Sequence, residues 1–127
     1  MNVKTFYIFE DVDTALAAQA EYYASVSGEE LAREFEDAVK LAVRSVLDNP
    51  ERGDIVPGLT EAHRRVRIQR FKQYLYYRIN RQQEDVLIIH LRGQRQRPLT
   101  HSQLAQITEQ AEAAKERKRS APTEDGD

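Results

Sequence analysis

The stretch that decides the fold is residues 63–98, HRRVRIQRFKQYLYYRINRQQEDVLIIHLRGQRQRP. In RVRIQ and LYYRI, aliphatic side chains alternate with arginine or tyrosine, a period of two that is typical of half-buried strands. The run VLIIHL at 86–91 is apolar at five of six positions, which predicts a central strand that is covered on both faces. The stretch therefore predicts three antiparallel strands, with the arginines on the face away from the core.

Positive charge is concentrated in this same stretch. It holds ten Lys and Arg residues against two acids, whereas residues 1–62 hold 5 bases and 13 acids. The formal net charge of −2 therefore hides a strong internal asymmetry. Because like charges on neighbouring strands repel each other, a sheet with so many arginines is expected to face an anionic partner, with phosphate as the first candidate.

The composition limits the class of protein. A length of 127 residues predicts one domain with a small core. No apolar run approaches the ~20 residues that a membrane helix needs, and the N-terminus has no secretory signal. The chain has no cysteine, which excludes disulfides, thiolate metal sites and thiol nucleophiles. These features predict a soluble cytoplasmic protein without a membrane partner.

The chain before the sheet predicts a strand and a first helix. Residues 3–9 are rich in β-branched and aromatic side chains, which favours a strand. The acidic run 10–13 offers an N-cap and first-turn carboxylates, and apolar residues at helical spacing continue the pattern to about Ser25.

A second helix has the clearest pattern in the chain. Ser27 and Glu30 form an S-x-x-E capping box at its start, and Asn49 in a left-handed conformation followed by Pro50 predicts its end near Asp48. Its apolar stripe comprises Leu31, Phe35, Ala38, Val39, Ala42, Val43 and Val46. This stripe is expected to pack on the sheet face made by the strand aliphatics, so the two helices form a tight hairpin.

The remaining segments are a loop and a third helix. Residues 50–62 hold two prolines and two glycines, which predicts a loop without regular structure. Thr100 and Gln103 form a further capping box, which predicts a weakly amphipathic third helix. The fold class is therefore α+β: an N-terminal strand, a helical hairpin, a three-stranded antiparallel sheet that completes a small twisted sheet, and a C-terminal helix.

Motifs for cofactors and metals are absent from the sequence. The five glycines form no phosphate-cradling loop, and the three histidines lack the spacing of metal ligands. We therefore expect no cofactor and no metal.

The order of these elements resembles the RelE/ParE superfamily of bacterial toxins from type II toxin–antitoxin, or plasmid stabilisation, modules. The helix end at Asn49-Pro50, the strand RRVRIQRF, the strand LYYRIN and the closing HLRGQRQRP are similar to family patterns. The second capping box predicts a helical extension at 99–119, and the residues after it predict a disordered tail at 120–127. The resemblance implies a toxin domain at 1–98. It also implies growth inhibition, a cognate antitoxin protein, and either DNA gyrase or the ribosome with its mRNA as the target.

The superfamily divides into ribosome-dependent RNA endonucleases and gyrase inhibitors, and the nuclease pattern is matched only in part. Arg65 and Arg67 match two basic residues of the second strand, and Arg95 matches an arginine after the last strand. His101 stands at the spacing of a family tyrosine, and Glu61 matches a loop glutamate of one nuclease branch. Tyr74 replaces a third-strand arginine.

The partial match leaves three functions open. Cleavage of RNA needs a proton acceptor and a proton donor besides cations, and arginine supplies only the cations, so a metal-independent nuclease would have to recruit Glu61, His90, His101 or Tyr74. The resemblance favours a ParE-like inhibitor that binds gyrase, with a RelE-like mRNA endonuclease or a non-toxic interaction module as the alternatives. The predicted contact residues for nucleic acid or target are Arg65, Arg67, Tyr74, Arg78, His90, Arg92, Arg95 and Arg97.

Overall fold

The structure is a computed structural model that describes residues 1–68, 70–93 and 96–120. The elements are β1 (Thr5–Ile8), α1 (Glu10–Ser27), α2 (Glu29–Asp48), β2 (Asp54–Ile55), β3 (His63–Ile68), β4 (Gln73–Asn80), β5 (Asp85–Gly93) and α3 (His101–Ser120). The predicted tail at 120–127 begins at the last helical residue, and its remaining residues lie outside the described part of the chain.

The five strands form one sheet in the order β1-β5-β4-β3-β2. The strand β1 runs parallel to β5, and the other neighbouring pairs are antiparallel. The predicted α+β class and the central position of the VLIIHL strand are confirmed, although β5 continues past His90 to Gly93. The prediction that residues 50–62 are irregular was wrong, because Pro50–Arg52 form a 3₁₀ turn and β2 pairs with β3. A strand of two residues is too short to show alternation in the sequence.

The main core lies between the helical hairpin and the first face of the sheet. Phe35 is 0% exposed and belongs to one buried cluster with the strand residues Ile68, Leu75, Tyr77 and Ile79. This packing confirms the prediction made from the α2 stripe and the strand alternation.

The predicted end of α2 at Asp48 is confirmed, but three of the predicted helix caps were wrong. Ser27 is the last residue of α1, and Gly28 alone separates the helices, so the Ser27–Glu30 capping box does not form. The glycine adopts a φ of 95°, a left-handed conformation that few other residues tolerate. Asn49 has a φ of −147° and is not left-handed, and Phe9 takes the N-cap position of α1 without a side-chain bond. Backbone hydrogen bonds close the C-terminal ends of both helices: the Gly28 N–H donates to the Ala24 carbonyl oxygen, and the Asn49 N–H donates to the Ser45 carbonyl oxygen, each at 3.0 Å.

A buried tyrosine fixes the segment after α2 to the sheet. The Tyr77 hydroxyl donates to the Pro50 carbonyl oxygen at 2.6 Å and accepts from the Gly53 N–H at 3.0 Å. A Cβ at Gly53 would overlap this hydroxyl and lie 2.9 Å from the Arg65 carbonyl oxygen, so only glycine fits here. Burial raises the pKa of Tyr77, which keeps the hydroxyl protonated as a donor.

The helix α3 covers part of the second face of the sheet. Its start carries the predicted capping box, in which the Thr100 N–H donates to Gln103 Oε1 at 2.9 Å and the Gln103 N–H donates to Thr100 Oγ1 at 3.1 Å. Buried α3 residues join a second cluster with the sheet residues Tyr76, Leu87 and Ile89. Among the described residues, no helix combines the length and apolar character needed to cross a membrane.

Candidate target-binding surface

The second face of the sheet has two polar ends. The pairs His63–Arg78, Arg65–Tyr76 and Arg67–Tyr74 place alternate residues of β3 and β4 on this face. Near the start of β3, α3 contacts the sheet through polar side chains. We call this region the α3 clamp; its residues are His63, Arg78 and Asp85 of the sheet and Thr108, Glu112 and Lys115 of α3. At the other end lie the residues that we call the arginine end: Arg65, Arg67, Tyr74, His90 and Arg92.

The centre of the α3 clamp is a buried carboxylate. Asp85 is 1% exposed and accepts a hydrogen bond from Lys115 of α3. Its carboxylate also accepts from the Thr5 hydroxyl at 2.9 Å and lies 3.8 Å from Arg78 Nη2. The carboxylate therefore joins β1, β4, β5 and α3 through charges that would be costly to bury unpaired.

Two further contacts complete the clamp. Arg78 Nη1 donates to Glu112 Oε2 at 2.6 Å, and a His63 ring nitrogen lies 3.2 Å from the Thr108 hydroxyl. Burial lowers the pKa of His63, and the neighbouring Arg78 cation lowers it further. Arg78, a predicted target contact, thus lies under α3 and apart from the arginine end.

Cations dominate the arginine end. The Arg65 guanidinium lies 4.3 Å from the centre of the Tyr74 ring, a cation–π contact. Its buried Nε has no hydrogen-bond partner among the described residues, and Arg67 is exposed. Arg92 Nε donates to the Arg97 carbonyl oxygen at 2.8 Å, which keeps Arg97 beside this end. Within the described part of the chain, no carboxylate forms a salt bridge with Arg65, Arg67 or Arg92.

His90 lies at an irregularity in the sheet. It pairs with Tyr76, while Tyr77 pairs with Ile88, so β5 has one extra residue at this point. Both ring nitrogens of His90 are buried and have no partner among the described residues. Burial lowers the pKa of His90, and the Arg92 cation lowers it further. The Asp11 carboxylate has a smaller effect that raises this pKa. A neutral imidazole therefore sits beside the arginines.

The other predicted site residues lie elsewhere. Glu61 precedes β3 and accepts two hydrogen bonds from Arg81, at 2.8 and 3.0 Å, which lower the pKa of its carboxyl. The His101 ring lies 3.1 Å from the Pro57 carbonyl oxygen, close to the start of β3. Along β3, Arg67 is ~13 Å from His63. Arg95 lies outside the described residues.

The two half-buried histidines, His63 and His90, predict a loss of stability in mild acid. Because burial depresses their pKa values in the folded state, the unfolded state binds protons first. Stability should therefore be complete above the ordinary histidine value of about 6.5 and should fall as the pH drops below it toward the folded values. Urea unfolding at about pH 7.5 and 5.5 measures the loss, and His63→Gln should reduce it, with the exposed His101→Gln as the control. Equal losses in the three proteins would contradict this origin.

The sequence did not reveal the polar contacts of α3. The one sequence signal for these contacts was Asp85, which directly precedes the apolar run of β5. An acid at such a position is expected to be buried and to need a charged or hydrogen-bonding partner. Within the described ranges, no group of three or more His, Asp or Glu side chains is placed to hold a metal ion.

Comparison with known proteins gives a family match and a similar fold. A family model described as the ParE toxin of the type II toxin–antitoxin system parDE matches residues 10–98. A solved structure described as the chromosomal ParDE TA system from P. aeruginosa is similar, with a TM-score of 0.60 and 14% sequence identity over 72% of this chain and 96% of that chain. At this identity the likeness shows the fold alone. No curated protein matches the chain.

Proposed function

Because the chain belongs to the ParE toxin family of type II toxin–antitoxin systems, we propose that it arrests growth by binding DNA gyrase, with the arginine end as the surface of contact. The arginine end supports this assignment because Arg65, Arg67 and Arg92 are cations without a carboxylate partner among the described residues. Cations of this kind favour binding to an acidic protein surface or to phosphates.

The observation that carries a binding function over cleavage is that two of the predicted proton-transfer residues lie away from the arginine end. Glu61 is held by Arg81, and His101 is held at Pro57, both near the start of β3. A proton donor or acceptor must lie within about 3 Å of the reacting atom, or within reach of one water molecule. Arg67, ~13 Å from His63 along β3, is therefore not placed to act together with these two groups on one phosphate.

A charge-removal experiment in cells tests this proposal. Arg67→Ala removes an exposed cation of the arginine end, and Arg33→Ala removes an exposed cation of α2 as a matched control. A central contact arginine contributes strongly to binding affinity. Because of this, its loss should raise the dose of toxin needed to arrest growth and to activate a DNA-damage reporter by roughly tenfold or more. Equal toxicity of the two variants would contradict the assignment of the surface.

We also propose that a segment of the cognate antitoxin covers the arginine end when the toxin is neutralised. Disordered segments that fold on binding commonly add a helix or a strand to such surfaces. In the same cells, expression of the neighbouring antitoxin gene should restore growth and give a complex that co-purifies. Full toxicity in the presence of stoichiometric antitoxin would contradict this.

Ribosome-dependent cleavage of mRNA is the second candidate function, and His90 is the observation that favours it. His90 places an imidazole, a side chain that can accept a proton in cleavage, at the arginine end, although both of its ring nitrogens are buried. Tyr74 is the accompanying proton donor in this alternative, although it is engaged with Arg65.

A further inference from the structure

A cavity lies on the opposite side of the sheet from the arginine end. It has a volume of about 570 Å³, is half open to solvent, and is lined by α1, the start of α2, the turn between β3 and β4, and the chain around Gly93 and Gln96. Its walls are apolar or aromatic, its polar groups include glutamine amides, and its rim is cationic. The residues that define it are Tyr22, Tyr23, Phe71, Gln73, Arg70 and Lys72.

The cavity contains a hydrogen-bond acceptor without a partner. Gln73 is 3% exposed, and its Nε2 donates to Gln19 Oε1 at 3.1 Å. Its Oε1 is buried and has no partner among the described residues. Buried side-chain oxygens are nearly always paired in folded proteins, so an unpaired one on a residue that lines a cavity points to a donor supplied by a ligand.

An exposed aromatic residue stands beside this acceptor. Tyr22 is 55% exposed although it is large and partly apolar. Its ring contacts the Tyr23 ring edge to face at 5.6 Å, and Tyr23 contacts Phe71 in the same way at 5.3 Å. The aromatic cluster therefore continues from the core to the rim of the cavity, where Tyr22 is available for stacking.

The rim of the cavity favours an anionic ligand. Arg70 and Lys72 have φ values of 74° and 52°, left-handed conformations that are uncommon for residues other than glycine. Lys72 is exposed and has no salt bridge within the described ranges, whereas Arg70 lies 2.9 Å from Glu34. This turn follows directly on β3, whose end also carries Arg67, so positive charge extends from the arginine end to the cavity.

We propose that this cavity binds a base of single-stranded nucleic acid. The base stacks on Tyr22 and donates a ring or exocyclic N–H to Gln73 Oε1, while the adjoining phosphates contact Lys72 and Arg70. Each base presents such a donor on its Watson–Crick edge and a face that stacks on an aromatic ring. An apolar peptide side chain would fill the cavity but leave both the acceptor and the Lys72 cation unpaired. The site does not depend on gyrase being the target.

Direct binding to DNA tests the site. Fluorescence anisotropy with the full chain compares a labelled 12-nucleotide single strand with a fully abasic strand of the same length and charge. We expect the strand with bases to bind about 5- to 150-fold more tightly, which is the range for one stacked base. Tyr22→Ala should remove this difference, whereas Leu41→Ala, at a position that is 65% exposed on α2, should preserve it.

A second variant tests the phosphate contact. Lys72→Ala should weaken binding of both strands. It should also reduce the slope of log K against log salt concentration by the contribution of about one phosphate contact. The proposal is overturned if the two strands bind equally, if neither binds, or if Tyr22→Ala leaves the difference intact. A loss of antitoxin affinity in Tyr22→Ala with unchanged DNA binding would assign the cavity to a peptide and also overturn it. Gyrase inhibition is not measured, so failure here leaves the proposed function untouched.

Discussion

Truncation of Phe35 to alanine should lower the free energy of unfolding by about 3–5 kcal/mol, the usual cost of deleting a fully buried phenylalanine. Phe35 is 0% exposed, and its ring contacts Tyr23 at 4.9 Å and Phe71 at 5.1 Å between ring centres. Neighbouring aromatic rings cannot fill the space without leaving their own contacts. A small domain is stable by about 5–15 kcal/mol, so this one change removes a large part of the total.

Urea unfolding followed by circular dichroism measures the effect of this substitution. Leu41→Ala is the control, because Leu41 also lies on α2 but is 65% exposed, and it should change stability by less than about 0.5 kcal/mol. An unchanged unfolding midpoint for Phe35→Ala would contradict the packing of α2 on the sheet.

Removal of the Asp85 carboxylate should cost a similar amount, about 3–5 kcal/mol, because it leaves the largely buried Lys115 without its partner and removes one of the two carboxylates beside Arg78. Lys115 and Arg78 each expose only 14% of their side chains, and both lie against Asp85. Lys4→Ala is the control, because the Lys4–Glu84 ion pair is on the surface, where such pairs contribute about 0–1 kcal/mol.

The location of faster hydrogen exchange distinguishes a loss of the α3 clamp from a general loss of stability. In Asp85→Ala, hydrogen exchange should become faster in α3 than in α2, since the lost contact joins α3 to the sheet. The double variant Asp85→Ala with Lys115→Ala should lose less than the sum of the single losses. Additive losses with equal exchange in both helices would show that the clamp does not hold α3.

The sequence predicted those parts of the fold that follow from periodic patterns. The stripe of α2 and the alternation in β3 and β4 predicted the first face of the sheet, and both arise from burial on one side. The strand β2 and the ends of the hairpin depend on tertiary contacts, such as the bonds of Tyr77 to Pro50 and Gly53, which are far apart in sequence. Local patterns carry no signal for such contacts.

The positions of the candidate site residues were predictable only where they follow from the alternation of a strand. Alternation placed Arg65 and Arg67 on one face of the sheet, as the strand register shows. The positions of Glu61 and His101 depend on loop paths that end at Arg81 and Pro57, and sequence spacing does not determine those paths. The position of α3 on the sheet could not be predicted either. Its buried face is partly alanine, at Ala111 and Ala114, which gives only a weak hydrophobic pattern in the sequence.

The central claim is that the protein acts by binding gyrase and not by cutting RNA. The most direct test adds the purified protein in parallel to a gyrase supercoiling reaction and to a translating extract, with primer extension on the ribosome-bound message. Arg65→Ala and His90→Ala accompany the wild type in both. The account predicts that wild type blocks supercoiling, that Arg65→Ala does so less well, and that the message stays intact. Normal supercoiling together with discrete, codon-positioned cuts that disappear in either variant would contradict it.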